Sequence, residues 1–253
     1  MKEGYLRTLF HFFLKTMPLV APDALIDTGK ALKCKCKLLS NDFLKRDGSK
    51  MNEKNDYFKI NYFLSKSLDE HMHLFKQIKK DKVLQSQCLE VANKLISVYR
   101  NKGKLLLCGN GGSAAQAQHI AAELIGRFYL DRKALDAEAM SANSAALTAL
   151  ANDYRYEETF SRQIEAKGKA GDMLIAFTTS GQSKNIIEAV KMSHKREMTT
   201  VVLTGWKHLP HLLKYADNII SVPSKIIPRI QEAHIFIGHI LCEYVERKLF
   251  TEK

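Results

Sequence analysis

From about Tyr57 to Arg100 the apolar positions recur at helical spacing. Phe63, Leu64, Leu68, Leu74 and Ile78 form one stripe, and Leu84, Cys88, Val91, Leu95 and Val98 form a second. Two amphipathic helices are predicted there, packed on the core or on a neighbouring subunit. From Lys104 onward the pattern changes to short β-prone runs alternating with amphipathic helical ones. The strands are KLLLC (104–108), DAEAM (136–140), DMLIAFT (172–178), TTVVL (199–203) and DNIISV (217–222). Helices are expected to begin near Ser113, Ser144, Ser183 and Leu209, and a last long one to run from about Pro228 to Phe250. Pro228 suits the opening turn of that helix, where its missing N–H has no partner to lose. Such alternation builds a parallel sheet with helices on both faces. The predicted class is therefore α/β: a three-layer, doubly wound fold around a five-stranded parallel sheet, preceded by N-terminal helices.

Residues 1 to 50 follow neither pattern. They hold an aromatic-rich beginning, Pro18 and Pro22, and the basic segment KALKCKCK, with no motif among them. They are read as an N-terminal extension, an appended segment or the product of an upstream start with the true beginning at Met51; a membrane-surface or partner helix is the alternative. Residues 51–253 are expected to form the functional domain. The apolar stretch Leu6 to Val20 is too short to span a bilayer, is interrupted by Arg7, His11 and Lys15, and is followed by no small-residue cleavage site.

Composition changes the picture little. With 253 residues, 45% of them hydrophobic, the chain can bury one full core. The net charge of +12 suits nucleic acid, an acidic membrane surface or an anionic metabolite alike. Residues 1 to 60 carry twelve Lys/Arg against seven Asp/Glu, so about +5 of the excess lies there. No basic run interleaved with aromatics marks a nucleic-acid groove, and no membrane association is expected. Cys34, Cys36, Cys88, Cys108 and Cys242 are odd in number and include no CxxC pair, which points to a reducing, cytoplasmic compartment.

Two loops at strand ends carry the first chemical signal. CGNGGS (108–113) follows one strand and opens a helix; Ser113 can cap that helix or bond a ligand oxygen. After DMLIAF come Thr178, Thr179, Ser180, Gly181, Gln182 and Ser183, four hydroxyls in six residues, again ahead of a helix. In an open α/β sheet the ligand crevice lies at the carboxyl ends of the strands, where helix N-termini offer free amides. Two such loops in one sheet favour phosphate binding. No Lys follows as in GxxxxGK[ST], which disfavours a nucleotide P-loop.

Polar residues in apolar helices give the second signal. His119 and Glu123 stand four residues apart, about 40° around a helix axis, on a face otherwise rich in alanine. Gln231 and His239 stand eight apart, about 80° in projection, within IQEAHIFIGHILC. If the two helices meet, each pair supplies half of one zinc site, which then offers two imidazoles, a carboxylate and an amide oxygen. His234 competes with His239 for the role, and spacing does not separate them.

The segments CGNGGSAAQAQHIAAELIGRF, ALTALANDYRYEETFSRQIEA, TTSGQSKN and PRIQEAHIFIGHILCE together resemble the phosphoheptose isomerase branch of the SIS (sugar isomerase) family. The likeness runs from about Lys104 to the C-terminus. It implies a five-stranded parallel sheet, a homotetramer whose active sites borrow residues across subunits, and aldose-ketose isomerisation of sedoheptulose 7-phosphate for lipopolysaccharide or capsule heptose. By motif it puts one zinc per subunit on His119, Glu123, Gln231 and His239. It puts the sugar phosphate on Asn110, Gly111, Gly112, Ser113, His119, Glu123, Asn152, Asp153, Thr178, Thr179, Ser180, Ser183 and Gln231. Glu123 is then the base that moves a proton through an enediol, with His239 the partner acid/base.

Alternatives within the family are a non-catalytic protein that binds the replication initiator, which resembles the isomerases without the acid and base, and a sugar-phosphate sensor for a transcription factor, which needs a DNA-binding module, whereas residues 1 to 60 show no helix-turn-helix pattern. Thr178, Gln182 and Asn143 depart from the family's usual Ser, Asn and Asp. GWKHLPHLL lacks the KDGG of many relatives, and its Trp206 is read as packing at a loop. These departures leave a variant sugar phosphate as a further alternative.

Overall fold

The computed structural model describes residues 53–206 and 209–251, so expectations for residues 1–50 lie outside the described residues. The chain runs α1 (Glu53–Lys80), α2 (Lys82–Arg100), β1 (Leu105–Gly109), α3 (Gly112–Ile125), β2 (Ala137–Ala139) and α4 (Ser144–Asp153). A 3₁₀ turn (Tyr156–Glu158) leads to α5 (Ser161–Lys167), β3 (Met173–Phe177), α6 (Lys184–Lys195), β4 (Thr199–Thr204), α7 (Pro210–Leu213), β5 (Asn218–Ser221) and α8 (Ile227–Phe250). All five predicted strands are present. The two-turn helix α5 was not anticipated, and the helix expected near Leu209 is a single turn.

All strand pairs are parallel and the sheet order is β2-β1-β3-β4-β5. The order reverses between β1 and β3, and the crevice at such a switch point is where open α/β sheets bind ligands. Successive residues of β1 and β3 feed opposite cores, as strand alternation requires. Leu105, Leu107, Met173, Ile175 and Phe177 face one core, which includes buried residues of α2, α3 and α8. Leu106, Cys108, Leu174 and Ala176 face the other, with Phe160, Ile164, Ile186 and Val190. With both faces covered, the strands read as continuous apolar runs.

The break between α1 and α2 falls at Asp81, whose carboxylate accepts from the Leu84 amide at 2.9 Å and caps α2. Leu74 and Ile78 are buried, whereas Phe63, Leu64 and Leu68 of the same predicted stripe are more than half exposed. The helical period was legible, but the inner half alone packs within the chain. No described helix is long and apolar enough to cross a membrane. Cys88, Cys108 and Cys242 are free thiols.

The feature of most consequence for the site is how closely α8 lies on α3. A Cβ placed on Gly238 would stand 2.5 Å from Ile120 Cδ1 and 2.8 Å from its Cγ1. Gly238→Leu therefore overpacks this contact and is expected to destabilise the fold by about 1–3 kcal/mol despite leucine's better helix propensity. Urea unfolding measures this; an unchanged or higher midpoint would mean that the helices do not pack tightly there.

Candidate active site

The two glycine- and hydroxyl-rich loops leave the carboxyl ends of β1 and β3, neighbouring strands on either side of the switch point. A reciprocal amide pair joins them. Asn110 Nδ2 donates to Asn185 Oδ1 at 2.9 Å, and Asn185 Nδ2 donates to Asn110 Oδ1 at 2.8 Å. The Tyr156 hydroxyl also donates to Asn110 Oδ1 at 3.0 Å. Asn185 and Tyr156 are site-shaping residues that spacing did not single out, although both lie inside the conspicuous motifs.

In the second loop, Thr178 Oγ1 accepts from the Gly181 amide at 3.0 Å and Ser180 Oγ accepts from the Gln182 amide at 3.2 Å. A hydroxyl that accepts in this way keeps its own proton to donate. Ser183 is the N-cap of α6 but makes no side-chain capping bond. Gly181 has φ of +65°, a conformation that favours glycine, and a Cβ there would lie 2.5 Å from the tip of Leu209, which would have to shift. His211 Nε2 bonds the Gly181 carbonyl at 2.9 Å and steadies the loop from α7. In the first loop Ser113 does not cap α3: the cap position is Gly111, and Ser113 is buried inside the first turn.

On the other side of the first loop, α3 and α8 bring three predicted side chains together. His119 Nε2 is 3.1 Å from Glu123 Oε1 and 3.0 Å from His239 Nε2. Donor atoms of the three lie within 4.8 Å of one another, a grouping able to hold a metal ion. Burial pushes the His239 pKa down and the neighbouring His119 adds to this, while Glu123 opposes it. A neutral imidazole is the form that ligates metal. The fourth residue, Gln231, turns its carboxamide onto the first loop, with Nε2 2.7 Å from where a Gly112 Cβ would stand. Gln231, Gly112 and His119 line one cleft of about 380 Å³. Gln116, also unanticipated, donates through Nε2 to the Gln231 carbonyl.

Asn152 and Asp153 bond to each other at 2.8 Å on the exposed end of α4, and no described side-chain contact joins them to the imidazole cluster. Trp206 is exposed rather than packed, with Lys225 Nζ 4.9 Å from its ring centre.

The competition between His234 and His239 is resolved by burial. His234 is fully buried, 6.1 Å from the Phe177 ring, and neither ring nitrogen has a hydrogen-bond partner. Burial pushes its pKa down to about 4, opposed only by a weak polar contact with the Thr204 backbone. The unfolded chain takes up this proton first as pH falls, so stability is lost between about pH 6.5 and 4, by about 3 kcal/mol in all. Unfolding curves across that range should show a His234→Met variant losing this part of the pH dependence; an unaltered slope would assign it elsewhere.

These observations meet those from known proteins. A model of the SIS domain matches residues 68–205. A phosphoheptose isomerase of Aneurinibacillus thermoaerophilus is 45% identical over 194 residues, which are 77% of this chain and 98% of that protein. The structure of phosphoheptose isomerase GmhA from Neisseria gonorrhoeae superposes with a TM-score of 0.68 at 36% identity, covering 74% of this chain and 98% of that one. That of a phosphoheptose isomerase from Francisella tularensis gives 0.67 at 33% identity, over 78% and 100%. The chain belongs to the SIS-domain family, and within it to the phosphoheptose isomerases.

Proposed function

We propose that the protein converts sedoheptulose 7-phosphate to D-glycero-D-manno-heptose 7-phosphate in the cytoplasm, supplying heptose for lipopolysaccharide or capsule. The observation that carries this reading is the meeting of His119, Glu123 and His239 beside two loops suited to a sugar phosphate. The hydroxyls of Thr178, Thr179, Ser180 and Ser183, with the amides opening α6, receive the phosphate. Asn110, Gly111, Gly112 and Ser113 line the sugar, and Asn152 and Asp153 are assigned to it by motif. Residues 51–253 form the catalytic domain.

Glu123 removes a proton from C1 of the ketose and returns it to C2, passing through an enediol. Its Oε1 faces His119, which leaves Oε2 for this transfer. His239 moves the accompanying proton between the oxygens on C1 and C2. The donor set suits zinc by its chemistry, two imidazoles, a carboxylate and an amide oxygen; the His119–His239 and His119–Glu123 pairs stand 3.0 and 3.1 Å apart, and all three donor atoms lie within 4.8 Å of one another. His119, Glu123, Gln231 and His239 would hold it, and bound zinc would polarise the substrate oxygens as a Lewis acid. The exposed apolar residues of α1, among them Phe58, Phe63, Leu64 and Leu68, favour burial against other subunits, in keeping with a homotetramer. A non-catalytic role is disfavoured by the presence of both Glu123 and His239.

The purified protein with added zinc should convert sedoheptulose 7-phosphate to the aldoheptose 7-phosphate, seen by NMR of the sugar products. Glu123→Gln should remain folded and lose at least about a hundredfold in turnover. Normal turnover in that variant would exclude Glu123 as the base; sugar-phosphate binding without conversion by the wild type would favour a binding-only or variant-substrate protein.

A further inference from the structure

A buried ion pair remote from the substrate loops ties together the two helices that carry the site. Arg132 and Glu246 are almost wholly buried, and Arg132 Nε donates to Glu246 Oε1 at 3.0 Å. The other guanidinium nitrogens reach backbone carbonyls at the end of α3, Nη2 to Glu123 at 3.0 Å and Nη1 to Leu124 at 2.6 Å and Gly126 at 3.0 Å, and Nη1 also reaches the adjacent Lys133 carbonyl at 3.1 Å. One of these is the carbonyl of Glu123 itself. Glu246 also accepts from the amides of Phe128 at 3.1 Å, Tyr129 at 2.8 Å and Leu130 at 3.1 Å. It lies seven residues after His239, about 20° away around the α8 axis. The loop thus fixed sets the Phe128 ring 5.7 Å from the His239 ring.

We propose that Arg132 and Glu246 are positioning residues, which hold the end of α3 and the middle of α8 in the register that brings His119 and Glu123 to His239. The inference rests on the reading of those three residues as the metal-binding and catalytic set. Binding the free carbonyls at the end of α3 is stabilising in itself; what carries the pair's effect to the site is that one of those carbonyls belongs to Glu123 and that the loop held by Glu246 seats the Phe128 ring beside His239. All three guanidinium nitrogens and both carboxylate oxygens make hydrogen bonds here, so small displacements at the pair reach both helices.

Arg132→Lys keeps a cation against Glu246 but withdraws the planar fork from the four carbonyls. Phe128→Ala keeps the pair and removes the ring. Zinc affinity by chelator competition, kcat, KM and near-UV circular dichroism are compared at a temperature where each variant is folded. Arg132→Lys should weaken zinc binding by about 10- to 100-fold, as loss of groups supporting metal ligands does. It should lower kcat about tenfold with KM held within about twofold. Phe128→Ala should change both in the same direction by less, and it decides the matter if Arg132→Lys does not fold. Folded variants with wild-type zinc affinity and kcat would reduce the pair to a structural brace and overturn the proposal. A wild-type protein that neither binds zinc nor isomerises the sugar would overturn the reading beneath it as well.

Discussion

The close approach of α3 and α8 is the constraint on which the site depends. His119 and Glu123 stand on one helix and Gln231 and His239 on the other, more than a hundred residues later in the chain. The 3.0 Å separation between the two imidazoles depends on α3 and α8 being packed against each other in one register. Gly238 against Ile120, and Gly112 against the Gln231 carboxamide, meet that requirement at two points along the contact. The Arg132–Glu246 pair holds a third. The alanines of α3 serve the packing of α8: Ala117 and Ala121 are buried in the core shared with it.

The parallel sheet provides the second half of the arrangement. Its order places the ends of β1 and β3 side by side, and each end releases a loop that opens a helix. The Asn110–Asn185 amide pair then makes the two loops one surface. That surface lies next to the imidazole cluster because α3 belongs to both: its first turn closes the β1 loop, and its second and third turns present His119 and Glu123. A phosphate held at one end and chemistry at the other need no long connecting element.

Much of this was legible in the sequence, for physical reasons that differ by residue. The central strands β1 and β3 read as apolar runs, whereas the edge strands β2 and β5 carry polar positions and were placed by their alternation with helices. His119 with Glu123 followed from helical spacing, because i and i+4 share a face. Contacts between distant segments were not legible. Nothing in the spacing says that Arg132 meets Glu246 114 residues away, or that Asn110 meets Asn185 75 residues away. His234 and His239 sit on one helix and differ only in what surrounds them: a sealed apolar pocket beside Phe177 for the first, the α3 cluster for the second. The stripe on α1 gave the helix correctly, but periodicity does not tell which part of a stripe is covered within the chain, and Phe63, Leu64 and Leu68 are not. Helix α5, with its single buried aliphatic Ile164, is too short to show a period.

The proposed chemistry requires α3 and α8 to form one metal-binding centre. Anomalous diffraction at the zinc absorption edge, from crystals of the protein grown with zinc, tests this most directly. The predicted result is one strong peak per chain, within coordinating distance of His119, Glu123, Gln231 and His239. No peak at that position, or a peak bound by residues of only one of the two helices, would contradict it.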